Sequence, residues 1–486
     1  MEMPSFYSIQ FTDHTSLQTQ LQSQLRTWIC EGRLQPGTKL PSSRRLSSEL
    51  GISRNTITIA IEQLRSEGFL ETFQGKGVYV VESLPTNVNG IKNNDWKYKV
   101  AKPELSNFAQ EIAAKPFTEH GPSLPFTPGI PDLEAFPSKI WNTLQRRHHS
   151  RSSLMGYNGN QGYQPLREAL AEYLRLSRGV RCKENQIIIT HGAQQAISLC
   201  AQILINNEDE VLVENPGYMG AKKAFKARGA RLRPCLLGEN GLEINALVSR
   251  SNKGASHKLM YCTPTHQYPL GGILPASDRL RLLDWAAQNN TWIIEDDYDS
   301  EFHFHHKPVA ALQGMAEHTP VIYMGSFSKT LFPALRLGYL VVPEELVDIF
   351  ITAKNSMSGE SPLLPQAVIA DFIVEGHFTR HLRKMRLIYQ EKWLHLHQLL
   401  CDKLKDKVSP IAKSAGMHLA IKIPNCDDKN LADALKKEGL GSSPLSAYYL
   451  NTPSMSGLVL GFANSNAQQR EKLVSTLDRL ITSTGL

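Results

Sequence analysis

No stretch of this chain approaches the ~18 consecutive apolar residues that a membrane-crossing helix needs, which excludes an integral helical membrane protein. The first residues, MEMPSFYSIQFTDHTSLQ, lack the basic-then-apolar order of a secretory leader, so no signal peptide is expected. Cysteine is scarce: seven among 486 residues, at 30, 182, 200, 235, 262, 401 and 426, odd in number and never spaced CxxC. That scarcity opposes a disulfide framework and a structural zinc site, and it suits a reducing, cytoplasmic setting. Low-complexity tracts and repeats of fixed period are also missing, which excludes a solenoid. What remains is ordinary globular material, 41% hydrophobic and 20% charged. At about 100–200 residues per domain, the length calls for two or more domains.

The net charge is +7, and its distribution is more informative than its sum. Residues 1–82 carry eight Lys/Arg against eight Asp/Glu. Within them, residues 33–54 hold Arg33, Lys39, Arg44, Arg45 and Arg54 against the single acid Glu49. A local cluster of this kind can meet phosphates, although a charge run by itself is equally a solvated face.

Residues 16–82 read as three helices and a hairpin. Leu17, Leu21, Leu25, Trp28 and Ile29 recur at helical spacing and Gly32 closes the segment. A turn at Gln35-Pro-Gly leads to a second helix started by Pro41-Ser-Ser and ended by Gly51. Ser53 is an N-cap for a third helix with Ile57, Ile61 and Leu64 on its apolar face. Phe69-LETF, the turn Gln74-Gly-Lys-Gly77 and Val78-YVV make a hairpin with a glycine-rich tip. Helix, turn, helix and hairpin outline a winged helix, whose second motif helix starts in the major groove of DNA. Arg54, Asn55, Thr56 and Thr58 put forked donors, an amide and hydroxyls at that start, the groups that read bases and clamp phosphates.

From Gly37 to Val80 the sequence resembles the DNA-binding domain of the GntR regulators, in the pattern PGxxLPSSRxLxxxLGxSRNT…LxxEGxL…GxGxxV. The resemblance implies binding to double-stranded operator DNA through Arg44, Arg54, Asn55, Thr56 and the wing residues Gly75 and Lys76. Thr58 joins this set, at a position where some members carry arginine. Residues 83–94 hold eight Ser, Pro, Thr, Asn or Gly out of twelve and read as a linker. The expected division is a head at 1–82, a linker at 83–121 containing a short docking segment LSNFAQEIA, and a large domain at 122–486.

From 186 the chain alternates short apolar runs with helical patterns, which argues an α/β domain with a mainly parallel sheet covered on both faces. The expected strands include Glu210-VLVE, Lys258-LMYCT, Thr291-WIIE, Val321-IYM and Leu337-GYLVV. Ligands of such sheets collect at the carboxyl ends of strands, where the unusual residues fall. Thr190-His-Gly-Ala-Gln is a glycine turn opening a helix, so the amides of Gly192, Ala193 and Gln194 are positioned to hold a phosphate. Asp296-Asp-Tyr298 and Gly325-Ser-Phe-Ser-Lys-Thr330, followed by Arg336, end two other strands. Each segment alone is equally a loop, a cap or a metal site. Together they supply what pyridoxal 5'-phosphate needs: the Lys329 amine for a Schiff base, Asp296 for the ring nitrogen, and Ser326, Ser328 and Arg336 for the phosphate.

From about 126 to the end the chain resembles the fold-type-I aminotransferases, which implies a smaller C-terminal α+β subdomain. The resemblance makes Lys329 the residue joined to the coenzyme, Asp296 the partner of its ring nitrogen and Tyr298 the donor to its ring hydroxyl. It makes Tyr218, in Glu214-NPGYMG, the residue stacked on the ring. It also gives Tyr157, in Gly156-YNGNQGY, to the phosphate of a neighbouring subunit, hence a head-to-tail homodimer. A GntR-type head on such a body is similar to the MocR subfamily, which includes the GabR and PdxR regulators. What this implies is a regulator whose body senses pyridoxal phosphate, an amino compound, or both. The alternative is a working aminotransferase that carries a DNA-binding domain.

Two departures favour the regulator. Tyr268-Pro-Leu-Gly271 stands where aminotransferases often read Asn-Pro-Thr-Gly, and no arginine lies between Leu435 and Gln469 to bind a substrate carboxylate. A buried carboxylate without a partner costs several kcal/mol. His303, His305 and His306 invite a metal reading, but no carboxylate or cysteine is placed to complete a site, so no metal is expected. The basic spots at Arg146-Arg-His-His and Arg380-HLRKMR are expected on helices facing solvent or a partner.

Overall fold

The computed structural model describes residues 9–12, 15–82, 104–106, 109–110, 123–251, 257–304, 309–317, 319–411 and 415–483. They fall into two units, residues 1–105 and 106–486. Most of the expected linker, including 107–108 and 111–113 of its docking segment, lies outside the described residues, as do His305 and His306.

The first unit is built from α1 (Leu17–Cys30), α2 (Ser43–Leu50), α3 (Arg54–Ser66) and the hairpin β1 (Leu70–Phe73) and β2 (Gly77–Val80). Each helix start is capped as its sequence dictates, with Ser16, Ser42 and Ser53 each accepting the backbone N–H three residues on. Gly51 ends α2 in the left-handed conformation at φ 66°, where a side chain would be strained. Leu21, Leu25, Ile57, Leu64 and Val80 meet in one apolar core. The Gln35-Pro-Gly turn does more than connect. The Leu40 N–H donates to the Val78 carbonyl and the Val80 N–H to the Thr38 carbonyl, laying that segment along β2.

The second unit carries a seven-stranded sheet in the order β3-β11-β10-β9-β8-β4-β5. Its strands are β3 (Ile187–Thr190), β4 (Glu210–Glu214), β5 (Arg231–Cys235), β8 (Leu259–Cys262), β9 (Trp292–Asp297), β10 (Val321–Ser326) and β11 (Gly338–Val341); a small hairpin pairs β6 (Leu237–Gly238) with β7 (Gly241–Leu242). The pairing is parallel except at β11, which runs antiparallel to both β10 and β3. Both faces are covered, so β3, β8 and β11 are buried along their whole length rather than at alternate positions, while the edge strand β5 alternates. Val211, Val213, Tyr261 and Ile294 pack on the side of the helix Ala193–Leu204. Leu212, Met260, Cys262 and Ile293 pack on the side of the helix Ala276–Gln288.

A second, antiparallel sheet has the order β12-β13-β15-β14, from Ser409–Ile411, His418–Lys422, Gly457–Gly461 and Ser443–Pro444 respectively. The helices His377–Leu404 and Ala467–Ser483 pack against it, giving the smaller α+β part. Two strands run further than expected: β9 extends through Asp297 and β10 through Ser326, so both aspartates belong to the sheet. The basic spot at 146–149 is only partly solvated. Arg147 bonds to Asp371 at 2.7 Å, and His148, 3% exposed, bonds to the same carboxylate at 2.9 Å. No helix among the described residues is long and apolar enough to cross a membrane. None of the seven cysteines is in a disulfide.

Candidate functional site

In the first unit the starts of α2 and α3 adjoin, and Arg54 Nε donates to Ser43 Oγ at 3.3 Å. Their first-turn amides expose a partial positive charge to the same region. A groove of about 420 Å³ runs between these helices and the hairpin tip, lined among others by Lys39, Ser43, Thr58, Arg65, Gly75 and Lys76. Arg44, Arg54, Asn55, Gly75 and Lys76 are exposed, and Thr56 and Thr58 are half-buried. Thr56 shares its hydroxyl with the Ser53 cap at 2.8 Å, and Thr58 donates to the Arg54 carbonyl at 2.9 Å. Arg44, Arg54, Asn55 and Thr56 lie outside the lining of the groove. Arg45 is held by Glu49 one turn on, at 2.6 Å.

In the second unit a cavity of about 330 Å³ opens at the carboxyl ends of β3, β4, β8, β9 and β10. Each strand delivers a residue: Ala193 and Gln194 follow β3, Tyr218 follows β4, Thr263 follows β8, and Ser328 and Lys329 follow β10. Asp296 comes from β9 itself. Alternation along that strand separates its acids. Asp297 receives Arg178 Nε at 2.7 Å and the Tyr323 hydroxyl at 2.6 Å, in a buried pair outside the cavity. Glu295, two residues earlier, accepts the backbone N–H groups of Leu312 and Gln313 at 2.8 and 3.0 Å.

Asp296 faces the other way. Tyr261 donates its hydroxyl to Oδ2, while Oδ1 is buried without a partner. Burial, reinforced by Asp297 and Asp299, pushes this carboxyl up to about 7, against the opposing pull of Tyr261 and Lys329. Lys329 Nζ donates to the Gly129 carbonyl at 2.8 Å. Burial holds its amine below the ordinary lysine value although Asp299 and Asp296 raise it. Gly129 has φ 79°, where a side chain would be strained, and a Cβ there would push Nζ away from this approach. Ser326 Oγ accepts from the Ser328 amide at 3.2 Å, and Arg336, left-handed at φ 50°, lines the cavity beside them.

Among the expected coenzyme residues, Lys329, Asp296, Tyr298, Tyr218, Ala193, Gln194, Ser326, Ser328 and Arg336 line this one cavity. Gly192 is the N-cap of the helix starting at Ala193 without lining the cavity. Tyr157 lies apart, 97% exposed. Several residues escaped sequence reasoning. Tyr261 sits inside an apolar strand and reads as core. Asp299 stands one residue past Tyr298, and both its oxygens lie 3.0 Å from His266 Nδ1, which is also 3.0 Å from the Tyr298 hydroxyl. His418 arrives from β13 of the second sheet, a long-range approach that no local signal marks; Nε2 lies 3.1 Å from the Pro269 carbonyl. His303 pairs with Ser300 of its own turn at 3.2 Å.

Residues 125–477 match the profile of aminotransferase class I and II, and residues 17–80 match bacterial regulatory proteins of the gntR family. The chain is 37% identical to "Probable rhizopine catabolism regulatory protein MocR" of Rhizobium meliloti, over 94% of this chain and 92% of that protein. It is 30% identical to the HTH-type pyridoxine biosynthesis transcriptional regulator PdxR of Corynebacterium glutamicum, over 93% of this chain and 92% of that protein. Its fold is similar to the crystal structure of LysN, the alpha-aminoadipate aminotransferase of Thermus thermophilus, complexed with N-(5'-phosphopyridoxyl)-L-leucine. That likeness has a TM-score of 0.69 and 27% identity, covering 78% of this chain and 95% of that one. The chain belongs to the MocR subfamily of GntR transcriptional regulators, a winged-helix DNA-binding head carried on an aminotransferase class I and II body.

Proposed function

We propose that the body holds pyridoxal 5'-phosphate and that this coenzyme, alone or with an amino compound, sets how tightly the head grips its operator. The observation that carries this reading is the Asp296 carboxylate: Oδ1 is buried without a partner in the cavity that Lys329 also lines. A cationic ring N–H against Oδ1 would satisfy that atom and restore the charge that burial suppresses. The remaining donors fit the same group. Arg336, Ser326, Ser328 and the first amides of the helix Ala193–Leu204 suit a phosphate. The Tyr298 hydroxyl suits the ring oxygen, and the Tyr218 ring supplies a flat face.

When bound, the coenzyme supplies an aldehyde that takes up primary amines. This chain's residues then bind and orient. Lys329 would present Nζ, held toward Gly129 and with its proton affinity lowered by burial, as the covalent attachment point. Asp296 would hold negative charge against the ring nitrogen, with its carboxylate fixed by the Tyr261 hydroxyl.

The division proposed is a DNA-binding head at 1–82, a linker at 83–121 and an effector body at 122–486, working in the cytoplasm as a head-to-tail homodimer. The exposure of Tyr157 suits a residue delivered to a partner's phosphate site. In the head, Arg44, Arg54, Asn55, Thr56, Thr58, Gly75 and Lys76 are the proposed contacts to DNA. The body is read as a sensor rather than a multiple-turnover enzyme, because among the described residues Arg336, the proposed phosphate partner, is the one arginine that lines the cavity. Its likeness to LysN supports the rival aminotransferase reading, and ketoacid-dependent conversion of many equivalents of an amine would establish that rival.

The test is to recover the genomic fragments the full chain binds and titrate their affinity with pyridoxal phosphate, with and without amino compounds. A coenzyme-dependent change in affinity is expected, and coenzyme-independent binding contradicts the proposal.

A further inference from the structure

We infer that the amino compound admitted to this cavity is a primary amine without a carboxylate. This rests on the coenzyme reading above and names the class of ligand that the same site takes.

The charge balance of the cavity carries the inference. Among the described residues lining it, the lysine and arginine side chains are Lys329 and Arg336. The coenzyme would use both, one covalently and one at its phosphate. The acids are Asp296, facing the ring nitrogen, and Asp299, whose side chain is 1% exposed. An amine joining the coenzyme would displace Lys329, whose freed amine is matched by the Asp299 and Asp296 charges beside it, so an entering carboxylate would bring a further negative charge with no cation in excess to meet it.

The other polar groups do not change this balance. His418 lines the cavity, but burial and the neighbouring His266 push its imidazole down to about 3, so it stays neutral. The buried Lys222 amine lies outside the lining and is spent on the Tyr448 carbonyl. Arg178 is locked on Asp297 at 2.7 Å. Tyr268 of the lining packs in turn against the apolar cluster of Leu445, Tyr448, Tyr449 and Val459, which supplies no cation.

What the cavity does offer favours an amine end. The rings of Tyr218 and Tyr298 stand edge-on to Tyr268 at 5.9 and 5.6 Å between centroids. Aromatic faces around a carboxylate such as Asp299 favour a cationic or hydroxylated group over a second anion.

The experiment uses the full chain loaded with pyridoxal phosphate and follows the absorbance of the bound coenzyme. Two matched pairs are titrated: ethanolamine against L-serine, and 1,4-diaminobutane against L-ornithine. Each amine is expected to reach half-saturation at a concentration about tenfold or more below that of its amino acid. Asp299→Asn is expected to bring that ratio toward one, and a ligand-dependent rise in melting temperature of the unaltered chain should follow the same order. Equal or tighter binding of the amino acids, or silence toward all four compounds, overturns the inference while leaving the coenzyme reading intact. If loading yields no coenzyme band at all, the coenzyme reading itself falls and takes the inference with it.

Discussion

Tyr261 donates its phenolic hydrogen to Oδ2 of Asp296 and leaves Oδ1 of the same carboxylate buried without a partner. The two residues lie on one face of adjacent parallel strands, β8 and β9, so the sheet itself fixes the carboxylate.

A pH dependence follows from that burial. The Asp296 carboxyl is pushed up from 3.8 to about 7, so the folded chain keeps a proton that the unfolded chain releases in between. Its contribution to stability is complete below the unfolded value and is lost as pH rises through about 7. Glu214 is pushed up to about 7 as well, so the chain must be compared with Asp296→Asn. Freed of coenzyme, its stability relative to that variant should fall from about pH 4 to about pH 7, read from denaturant midpoints at fixed pH. A flat difference contradicts the burial argument.

DNA binding divides the arginines of the head. Arg54 at the start of α3 has only the weak 3.3 Å bond to Ser43, whereas Arg45 is held by Glu49. Arg54→Ala should weaken operator binding by about 1–3 kcal/mol, and Arg44→Ala should lower the salt slope by about 1. Arg45→Ala should change either quantity less. Equilibrium titrations at several salt concentrations measure all three.

The buried pair of Arg178 and Asp297, at 2.7 Å with side chains 3% and 1% exposed, predicts a stability effect without a direct effect on ligands. Arg178→Ala strands a buried carboxylate and should cost about 3–5 kcal/mol of unfolding free energy. Thermal or denaturant unfolding measures it, and a loss below about 1 kcal/mol contradicts the pairing.

Ser53 caps α3 through the Thr56 amide at 3.1 Å. Ser53→Ala should lower the stability of the head by about 1 kcal/mol and loosen the helix start that carries Arg54 and Asn55. Unfolding midpoints and operator affinity should fall together.

Most of this was written locally in the chain. The caps at Ser16, Ser42 and Ser53, the closing Gly51 and the glycine-rich hairpin tip are short-range signals, and they position the head's elements within a residue or two. Lys329 and Asp296 were legible because each follows or ends a strand at the same edge of the sheet, whereas Tyr218 was marked only by the family resemblance. The antiparallel β11 was not legible, because an apolar run buried on both faces does not record its direction. Nor was the reach of β9 through Asp297, since acids at a strand end read as a loop until Arg178 and Tyr323 are seen to cover one of them. His418 and Asp299 meet only when the second sheet closes on the first, over more than a hundred residues of chain, and no local pattern encodes such a meeting.

The central claim is a covalent bond between the coenzyme and one lysine, and reductive trapping tests it most directly. The full chain is incubated with pyridoxal phosphate, reduced with borohydride, digested, and mapped by mass spectrometry. The predicted result is a pyridoxyl label on Lys329 that disappears in Lys329→Ala; an unlabelled chain, or label spread over other lysines with Lys329 unmodified, would contradict the account.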